Sequence, residues 1–260
     1  MNKISLLLCL IGFSLFLPAV SEASRPLALI YKGPGACSLD QGDAGESGYG
    51  CAEAAADVAR AAGFQFKFVG PNDLSENPSE AEVKSIFKNA RVWIQPGGIA
   101  VTAILAMSNG LKNQIVKFVS QGGGYVGFCA GAFLATDRIG STRYHGFGIL
   151  TGFTAPYGYE SPDGLDFAFL ETNWNGKKRA VYFEGGPYLY GQDSSAEVIA
   201  TFADGYAAAV QEKFGKGRVS VSGPHPEAPA IWSAEEGAQD PDGSDLFLGV
   251  AMVRWAAGIN

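Results

Sequence analysis

A cysteine between two glycines is the clearest chemical signal in this sequence. Cys129 lies in the run Gly127-Phe128-Cys129-Ala130-Gly131, after an apolar segment and before a helix-like one. Glycines two residues before and two residues after a nucleophile allow a sharp strand-to-helix turn without a Cβ clash. The turn would present the thiol at the carboxyl end of a strand, close to a helix N-terminus, where the helix dipole favours the thiolate. The pattern therefore predicts a nucleophile elbow at Cys129.

A candidate base and a candidate carboxylate follow far downstream. His225 and Glu227 stand two residues apart in the run Gly223-Pro224-His225-Pro226-Glu227. An imidazole can take the proton of a thiol, and a carboxylate beside it can hold the imidazole in the productive orientation. The chain has two histidines, and we favour His225 because we see no carboxylate near His145. We expect a Cys129–His225–Glu227 triad; the alternative is an inert buried thiol and a loop histidine.

The first 23 residues predict a cleavable export signal. Lys3 supplies a positive charge, residues 4–17 form an apolar run, and Ser21-Glu22-Ala23 offers small residues at the −3 and −1 positions of a cleavage site. The run is shorter than a membrane-spanning helix requires. We therefore expect a periplasmic or secreted protein without a stable membrane anchor, in which residues 24–260 form one domain.

Three cysteines remain after the expected cleavage, namely Cys37, Cys51 and Cys129. In an oxidising compartment two of them tend to pair. A Cys37–Cys51 disulfide would restrain the Gly-rich loop 38–50, would stabilise the fold by about 3 kcal/mol on the loop-entropy account, and would leave Cys129 free. There are two alternatives: all three thiols are reduced, or a disulfide includes Cys129 and blocks it.

We expect the loop that joins Cys37 to Cys51 to lie over the edge of the site that carries Cys129. Exposed loops on a rigid scaffold commonly determine specificity. Negative charges on such a loop would disfavour anionic substrates. The loop contains three acidic residues, Asp40, Asp43 and Glu46.

Apolar runs and helical patterns alternate along the first half of the chain. Strands are predicted at 25–31, 64–69, 90–95 and 125–128, and helices at 51–62, 78–89 and 111–120. The alternation is typical of an α/β fold with a parallel sheet and helices on both faces. The second half predicts shorter strands at 147–153, 166–174, 179–183, 197–202, 207–213 and 218–222, hairpin turns at 175–176 and 215–217, and a helix at 245–257.

The composition excludes several classes of function. A formal net charge of −7 argues against a nucleic-acid partner. The sequence has no Cys-x-x-Cys pair, no cluster with metal-ligand spacing and no phosphate-binding Gly-rich motif. We therefore expect no metal and no cofactor. The substrate and the oligomeric state stay open.

The chain resembles class I glutamine amidotransferase domains. It is most similar to the amidotransferase-like N-terminal domain of biotin-protein ligases and to its stand-alone exported bacterial relatives. Besides the elbow and the Pro-His-Pro-Glu run, the resemblance rests on Tyr31-Lys32-Gly33-Pro34-Gly35, Gln95-Pro96-Gly97-Gly98 and Gly185-Gly186-Pro187. It covers nearly the whole mature chain. It implies a flavodoxin-like, mainly parallel α/β domain, here with added short strands in the second half.

The resemblance also implies roles for individual residues. Cys129 would attack an amide or related acyl carbon of a small molecule or peptide, His225 would act as the base, and Glu227 would orient the imidazole. The backbone N–H groups of Ala130 and of Gly97 or Gly98 would form the oxyanion hole. The possible pocket-lining residues are Tyr31, Gly33, Pro34, Gly35, Phe133, Gly185 and Gly186.

One position departs from the glutaminase pattern. Glutaminases of this class carry a glutamine four residues after the nucleophile, where it helps to hold the substrate; this chain has Phe133 there. The departure favours a substrate other than glutamine. It also supports an alternative, in which the fold is a catalytically silent ligand-binding or interaction module.

Overall fold

The computed structural model describes residues 25–37, 49–159, 166–234 and 237–259. The predicted export signal lies outside these residues, and so do loop residues 38–48 with their three carboxylates. Across the described ranges, no helix combines the length and the apolar character that crossing a membrane requires.

Eleven strands and seven helices make up this part of the chain. The strands are β1 (Leu27–Tyr31), β2 (Gln65–Val69), β3 (Ala90–Gln95), β4 (Gly124–Phe128), β5 (Phe153–Pro156), β6 (Ala168–Trp174), β7 (Lys177–Phe183), β8 (Pro187–Tyr190), β9 (Glu197–Phe202), β10 (Ala207–Phe214) and β11 (Gly217–Ser222). The helices are α1 (Cys51–Ala61), α2 (Glu80–Phe87), α3 (Ala100–Ala106), α4 (Asn109–Ser120), α5 (Ala130–Ala135), α6 (Ala230–Ala234) and α7 (Leu246–Ala256).

The strands form one sheet with a parallel half and an antiparallel half. In the parallel half the order is β2-β1-β3-β4-β11, which is a flavodoxin-like order, and β4 lies between β3 and β11. The sheet then continues through β10, β9, β6 and β7, which pair antiparallel, while β5 and β8 pair beside β10. The α/β fold with a parallel central sheet is therefore confirmed.

Helices cover both faces of the parallel strands. On one face, buried residues of α3, α4 and α5 join a hydrophobic cluster with Trp93 and Tyr125. On the other face, the alanine-rich helix α1 and helix α7 pack around Ile94 and Phe128. The parallel strands are buried on both sides, which explains why they read as continuous apolar runs in the sequence.

The expected strand at 147–153 is wrong. Its apolar residues are buried, but their N–H groups bind the last carbonyls of α5: Phe147 donates to Leu134, and Ile149 donates to Ala135. These contacts satisfy the open C-terminal end of the helix, so the segment joins no strand before Phe153. The pattern also missed α3, α6, β5 and β8, which have four to seven residues each.

The helix predicted at 78–89 is shorter than expected. It begins after Ser79, whose hydroxyl accepts from the Glu82 N–H while the Glu82 carboxylate accepts from the Ser79 N–H. This capping box satisfies N–H groups that would otherwise be unpaired at the start of the helix. The helix ends at Phe87, and Asn89 adopts a left-handed conformation with φ of 66°.

Candidate active site

Cys129 lies at the sharp turn between β4 and α5. Its backbone has φ of 47° and ψ of −104°, a region that residues with a Cβ rarely adopt. The Cys129 N–H donates to the Ser222 carbonyl at 2.8 Å, and the Cys129 carbonyl accepts from Ala132 at 2.9 Å. Such strain costs about 1–3 kcal/mol and persists where the surrounding structure enforces it. The cysteine itself adopts the positive φ, and the flanking glycines serve a different purpose.

The glycines around Cys129 allow the turn to pack closely. A Cβ on Gly127 would lie 2.5 Å from the Gly131 backbone, and a Cβ on Gly131 would lie 2.3 Å from the Gln95 carbonyl oxygen. Both distances are too short for a side chain at either position. The Gly-x-Cys-x-Gly spacing therefore reflects direct backbone contact between β3, β4 and α5.

The strand register brings three sequence segments to one edge of the sheet. Phe128 is paired with Ser222, so Cys129 and the run that contains His225 leave adjacent strands at the same level. On the other side Gln95 is paired with Gly127, which places Gly97 and Gly98 next to the elbow. This is the carboxyl edge of the parallel strands, where open α/β sheets bind ligands.

The side chains of Cys129, His225 and Glu227 form a connected series. His225 Nδ1 lies 2.8 Å from Glu227 Oε1, and the Cys129 side chain is close enough to the His225 ring to raise its pKa. Because Nδ1 is bound to the carboxylate, Nε2 is the nitrogen left for the thiol. All three residues are at least 95% buried. The second carboxylate oxygen of Glu227, Oε2, is buried without a hydrogen-bond partner in the described part of the chain.

The electrostatics of this group favour a protonated imidazole. Burial acts to lower the pKa of His225, but the Glu227 carboxylate and the Cys129 side chain outweigh burial and raise that pKa well above its ordinary range. The backbone of His225 is fixed as well, because its N–H donates to the Tyr182 carbonyl at 2.8 Å. The ring therefore has a fixed position and a stabilised charge.

A short bridge holds the Gly97-Gly98 segment beside the elbow. Gly98 is paired with Ala36; the Gly97 carbonyl accepts from the Cys37 N–H at 3.2 Å, and the Ile99 N–H donates to the Gly35 carbonyl at 2.8 Å. Gly98 has φ of +125°, and a Cβ on it would lie 2.3 Å from the Gly35 carbonyl oxygen. A side chain at Gly98 would thus separate the two segments.

The segment is also close to the imidazole. A Cβ on Gly97 would lie 2.6 Å from His225 Cε1 and 3.1 Å from Cys51 Sγ. Gly97 is therefore in contact with the His225 ring, and Ala130 is the first residue of α5 after Cys129. The N–H groups of Gly98 and Ala130 make no backbone hydrogen bond within the described ranges.

Cys37 and Cys51 are joined by a disulfide, and Cys129 is a free thiol. Cys51 is the first residue of α1, and its N–H donates to the Cys37 carbonyl at 3.1 Å. The bridge therefore lies next to Gly97 and on the same side of the fold as His225. It ties the start of α1 to the segment that pairs with Gly98.

Of the remaining expected pocket residues, those near the 33–35 turn are closely packed, and Phe133 lies against the core. The Tyr31 hydroxyl is buried and donates to the Pro34 carbonyl at 2.8 Å, so it supports the 33–35 turn, and burial raises its pKa. A Cβ on Gly33 would lie 2.8 Å from the Pro71 ring, and one on Gly35 would lie 2.3 Å from the Ala103 nitrogen. Phe133 is half-buried and packs against the hydrophobic cluster on the α3–α5 face.

The turn after β7 lies over the thiol. Cys129 Sγ is 3.6 Å from the Glu184 carbonyl oxygen, and Gly185 and Gly186 follow directly. Gly185 is exposed with φ of +63°, and a Cβ on Gly186 would lie 2.1 Å from the Gly223 carbonyl oxygen. The contact between Glu184 and the thiol could not be expected from the sequence, because it depends on where the antiparallel half of the sheet ends.

Aromatic side chains border the imidazole. The Tyr182 ring lies 5.9 Å from the His225 ring and the Trp232 ring lies 5.7 Å from it, both edge to face. The Trp232 indole N–H donates to the Tyr49 carbonyl at 2.9 Å. Trp232 lies on α6, a five-residue helix that carried no sequence signal. These rings limit the access of water to His225.

His145 differs from our expectation in one respect. Its Nδ1 lies 3.3 Å from Asp137 Oδ1, so a carboxylate is near it after all. However, its side chain is 62% exposed and that of Asp137 is 75% exposed. Nothing in the described part of the chain connects this pair to Cys129.

Three carboxylates lie close together although their sequence spacing did not predict a cluster. Single ligand atoms of Asp240, Asp242 and Asp245 lie within 4.8 Å of one another. Arg179 already pairs with this group, because its Nε lies 2.8 Å from Asp245 Oδ1 and its Nη2 lies 3.5 Å from Asp242 Oδ1. Burial raises the pKa of Asp245 to about 6 despite this partner. The group connects β7 to the start of α7.

Comparisons with known proteins agree with this architecture. Residues 72–145 match the family described as biotin-protein ligase, N terminal. A biotin–protein ligase of Schizosaccharomyces pombe is 26% identical over 187 residues, which cover 63% of this chain and 28% of the ligase. An uncharacterized protein of Chlamydia muridarum is 28% identical over 57% of this chain and 65% of that protein. The chain therefore matches less than two thirds of the length of either relative.

Solved structures share the fold at low sequence identity. A crystal structure of a glutamine amidotransferase superposes with a TM-score of 0.57 at 19% identity, covering 79% of this chain and 93% of that one. The structure of PurLQS from Thermotoga maritima has a TM-score of 0.55 at 17% identity, covering 87% of this chain and 98% of the matched chain. At these identities the likeness concerns the fold.

Proposed function

We propose that this chain is an exported cysteine-dependent amidohydrolase. It has the fold of class I glutamine amidotransferases, and its residues 72–145 match the biotin-protein ligase N-terminal family. Its substrate is an amide or a related acyl compound, either a small molecule or a peptide. The observation that carries the proposal is the buried series Cys129–His225–Glu227 at the carboxyl edge of the parallel strands. A thiol, an imidazole and a carboxylate in this order are the parts that nucleophilic acyl transfer needs.

The first half of the reaction acylates the enzyme. His225 Nε2 holds the proton of the Cys129 thiol, and the thiolate forms a carbon–sulfur bond to the acyl carbon. The backbone N–H groups of Ala130 and of Gly97 or Gly98 stabilise the negative oxygen of the tetrahedral intermediate. When the intermediate collapses, the carbon–nitrogen bond breaks, and the leaving amine takes the proton from His225.

The second half releases the acyl group. Water adds to the thioester and gives a proton to His225, and the same N–H groups stabilise the second oxyanion. The carbon–sulfur bond then breaks, which yields the carboxylic acid and returns the proton shared by Cys129 and His225. Glu227 holds the imidazole through Nδ1 in both halves and stabilises its positive charge.

Two observations support export. Residues 1–23 have the order of a secretory signal: a basic residue, an apolar run and small residues before a cleavage point. The Cys37–Cys51 disulfide is consistent with this, because such bonds persist in oxidising compartments. We therefore propose both that the protein is exported and that its signal is cleaved after Ala23.

Phe133 favours a second candidate function on the same fold. Its side chain has no hydrogen-bonding group and packs against the core, so it cannot hold a substrate amide as a glutamine would. A catalytically silent module that binds a small peptide or another acyl compound at this cleft would have the same architecture. In that case Cys129 would be a contact residue without a role in bond breaking.

Intact-protein mass spectrometry separates the two functions. The mature protein is mixed with a panel of amides, p-nitroanilides and activated esters, and the mass of any acyl adduct and the release of the leaving group are followed together. An adduct that maps to Cys129, turns over and is absent in Cys129→Ala supports the hydrolase. Binding by calorimetry without an adduct, and with equal affinity in Cys129→Ala, would replace the hydrolase with the silent module.

A further inference from the structure

Glu184 gives the site a charge that the triad does not use. Its backbone carbonyl is 3.6 Å from Cys129 Sγ, so the residue borders the reacting atoms. Its own side chain can place the carboxylate within roughly 9 Å of the sulfur, given ordinary bond lengths. The residue is exposed, and so is Gly185 after it. The carboxylate is therefore open to a ligand that reaches the thiol.

The carboxylate has a hydrogen-bonded neighbour but no ion-pair partner among the described residues. The Tyr182 hydroxyl lies 3.0 Å from Glu184 Oε2. Among the ion pairs of the described residues, none includes Glu184. A tyrosine hydroxyl can orient a carboxylate without neutralising it, so the negative charge is available to a substrate.

The Glu184 carboxylate affects the pKa values of two tyrosines. Burial raises the pKa of Tyr182, and the Glu184 carboxylate raises it further. Burial also raises the pKa of Tyr159, again with Glu184 as the next contributor. The Tyr182 hydroxyl therefore lies beside the charge, and Tyr159 is near enough for its pKa to be affected by it.

The catalytic pair adds little opposing charge. His225 is paired with Glu227 at 2.8 Å, and both are buried, so the imidazolium is compensated on the side away from the cleft. An exposed carboxylate that accepts from a tyrosine hydroxyl, next to a compensated ion pair, is complementary to a positively charged group. An anionic group at the same place would face repulsion from Glu184.

We propose that Glu184 selects substrates that carry a protonated amine close to the scissile acyl group. This inference rests on the proposed hydrolase and names its substrate class: amino-acyl or peptidyl compounds with a free ammonium, in preference to neutral or acidic ones. Glu184 acts by charge on the incoming substrate and takes no proton from it. Tyr182 orients the carboxylate through its hydroxyl.

Charge-selective thiol reagents test the inference without knowledge of the substrate. Aminoethyl methanethiosulfonate is cationic, sulfonatoethyl methanethiosulfonate is anionic, and both transfer a thioalkyl group to a thiolate with loss of methanesulfinate. The measured quantity is the ratio of their rates at Cys129, divided by the same ratio for glutathione. A ratio is insensitive to changes in the reactivity of the thiol itself, so it isolates the local charge.

We expect the wild-type ratio to favour the cation, and Glu184→Gln to lower the ratio by about tenfold. Two unit charges roughly 9 Å apart in a partly solvated site change each rate by about threefold, in opposite directions for the two reagents. Glu184→Asp should keep most of the preference. Glu197→Gln removes an exposed carboxylate from β9, which two strands separate from β4, and should leave the ratio unchanged.

The outcomes separate this inference from the proposed function. If Cys129 reacts rapidly with iodoacetamide but Glu184→Gln changes the ratio by less than twofold, the role of Glu184 is refuted and the hydrolase stands. An equal fall in Glu197→Gln would mean that net charge, and not this residue, sets the preference. If Cys129 reacts with none of the three reagents, the hydrolase is refuted, and the substrate class with it.

Discussion

Replacing Gly97 with alanine should inactivate the site while the protein stays folded. A Cβ at this position would lie 2.6 Å from His225 Cε1 and 3.1 Å from Cys51 Sγ. Carbon atoms in contact are normally about 3.5–4.0 Å apart, so the imidazole must move by about 1 Å. The disulfide on the other side of the new methyl group prevents Gly97 from taking up that shift.

The displacement of the imidazole should change two measurable quantities, the alkylation rate of Cys129 and the free energy of unfolding. A displacement of about 1 Å in a catalytic group can cost about a hundredfold in rate, so we expect alkylation of Cys129 by iodoacetamide at pH 7 to slow by about that factor. Overpacking of this kind costs about 1–3 kcal/mol of stability, which is measurable by urea unfolding. His225 is 4% exposed, so its ring has little free space into which to move.

The matched control is Gly158→Ala. No atom of the described residues lies within 4 Å of a Cβ built on Gly158, so this variant changes the same residue type without a clash there. It should keep the wild-type alkylation rate and stability. A folded Gly97→Ala protein that alkylates at the wild-type rate would refute the contact between Gly97 and His225 as the structure has it.

Three further predictions concern the residues around the site. Non-reducing peptide mapping should find Cys37 linked to Cys51 and Cys129 free, and Cys37→Ser/Cys51→Ser should lower the free energy of unfolding by about 3 kcal/mol; a linked peptide that contains Cys129 would contradict the free nucleophile. In a Cys129→Ala background, we expect the Glu227 carboxylate alone to outweigh burial and keep the pKa of His225 raised, so the stability that His225 contributes is present below about pH 6.5 and is lost as the pH rises through its folded pKa; denaturation curves should show this slope and should lose it in Cys129→Ala/His225→Gln. Arg179→Met leaves a buried carboxylate unpaired and should cost about 3 kcal/mol at pH 8, but less at pH 5, because the pKa of Asp245 is raised to about 6 and the group is then largely neutral; an equal cost at both pH values would be inconsistent with the ion pair.

The residues of the series could be found from the sequence because their spacing is local. The elbow depends on glycines two residues from Cys129, and the structure shows that backbone contacts with Gly131 and Gln95 exclude any larger residue at these positions. Glu227 can reach His225 because the two are separated by one proline in a short turn. The parallel strands could also be predicted from the sequence, because burial on both faces produces continuous apolar runs.

Other features depend on the path of the whole chain. The Glu184 carbonyl reaches Cys129 only because the sheet continues through four antiparallel strands and its last strand, β7, returns to the carboxyl edge. No local pattern encodes that return. The segment 147–153 has the composition of a strand, but it terminates α5 with its N–H groups. Tertiary hydrogen bonding overrode an apolar pattern there.

The rate of Cys129 alkylation by iodoacetamide as a function of pH tests the central claim most directly. The claim is that His225, held by Glu227, keeps the Cys129 proton and leaves a reactive thiolate. It predicts a rate at pH 6 within about tenfold of the rate at pH 8.5, whereas an ordinary thiol, with a pKa of about 8.5, reacts roughly 150 times more slowly at pH 6 than at pH 8.5. In His225→Gln, the pH dependence of the alkylation rate should become that of an ordinary thiol. A slow wild-type reaction that follows the ordinary thiol curve, unchanged in His225→Gln, would contradict the account.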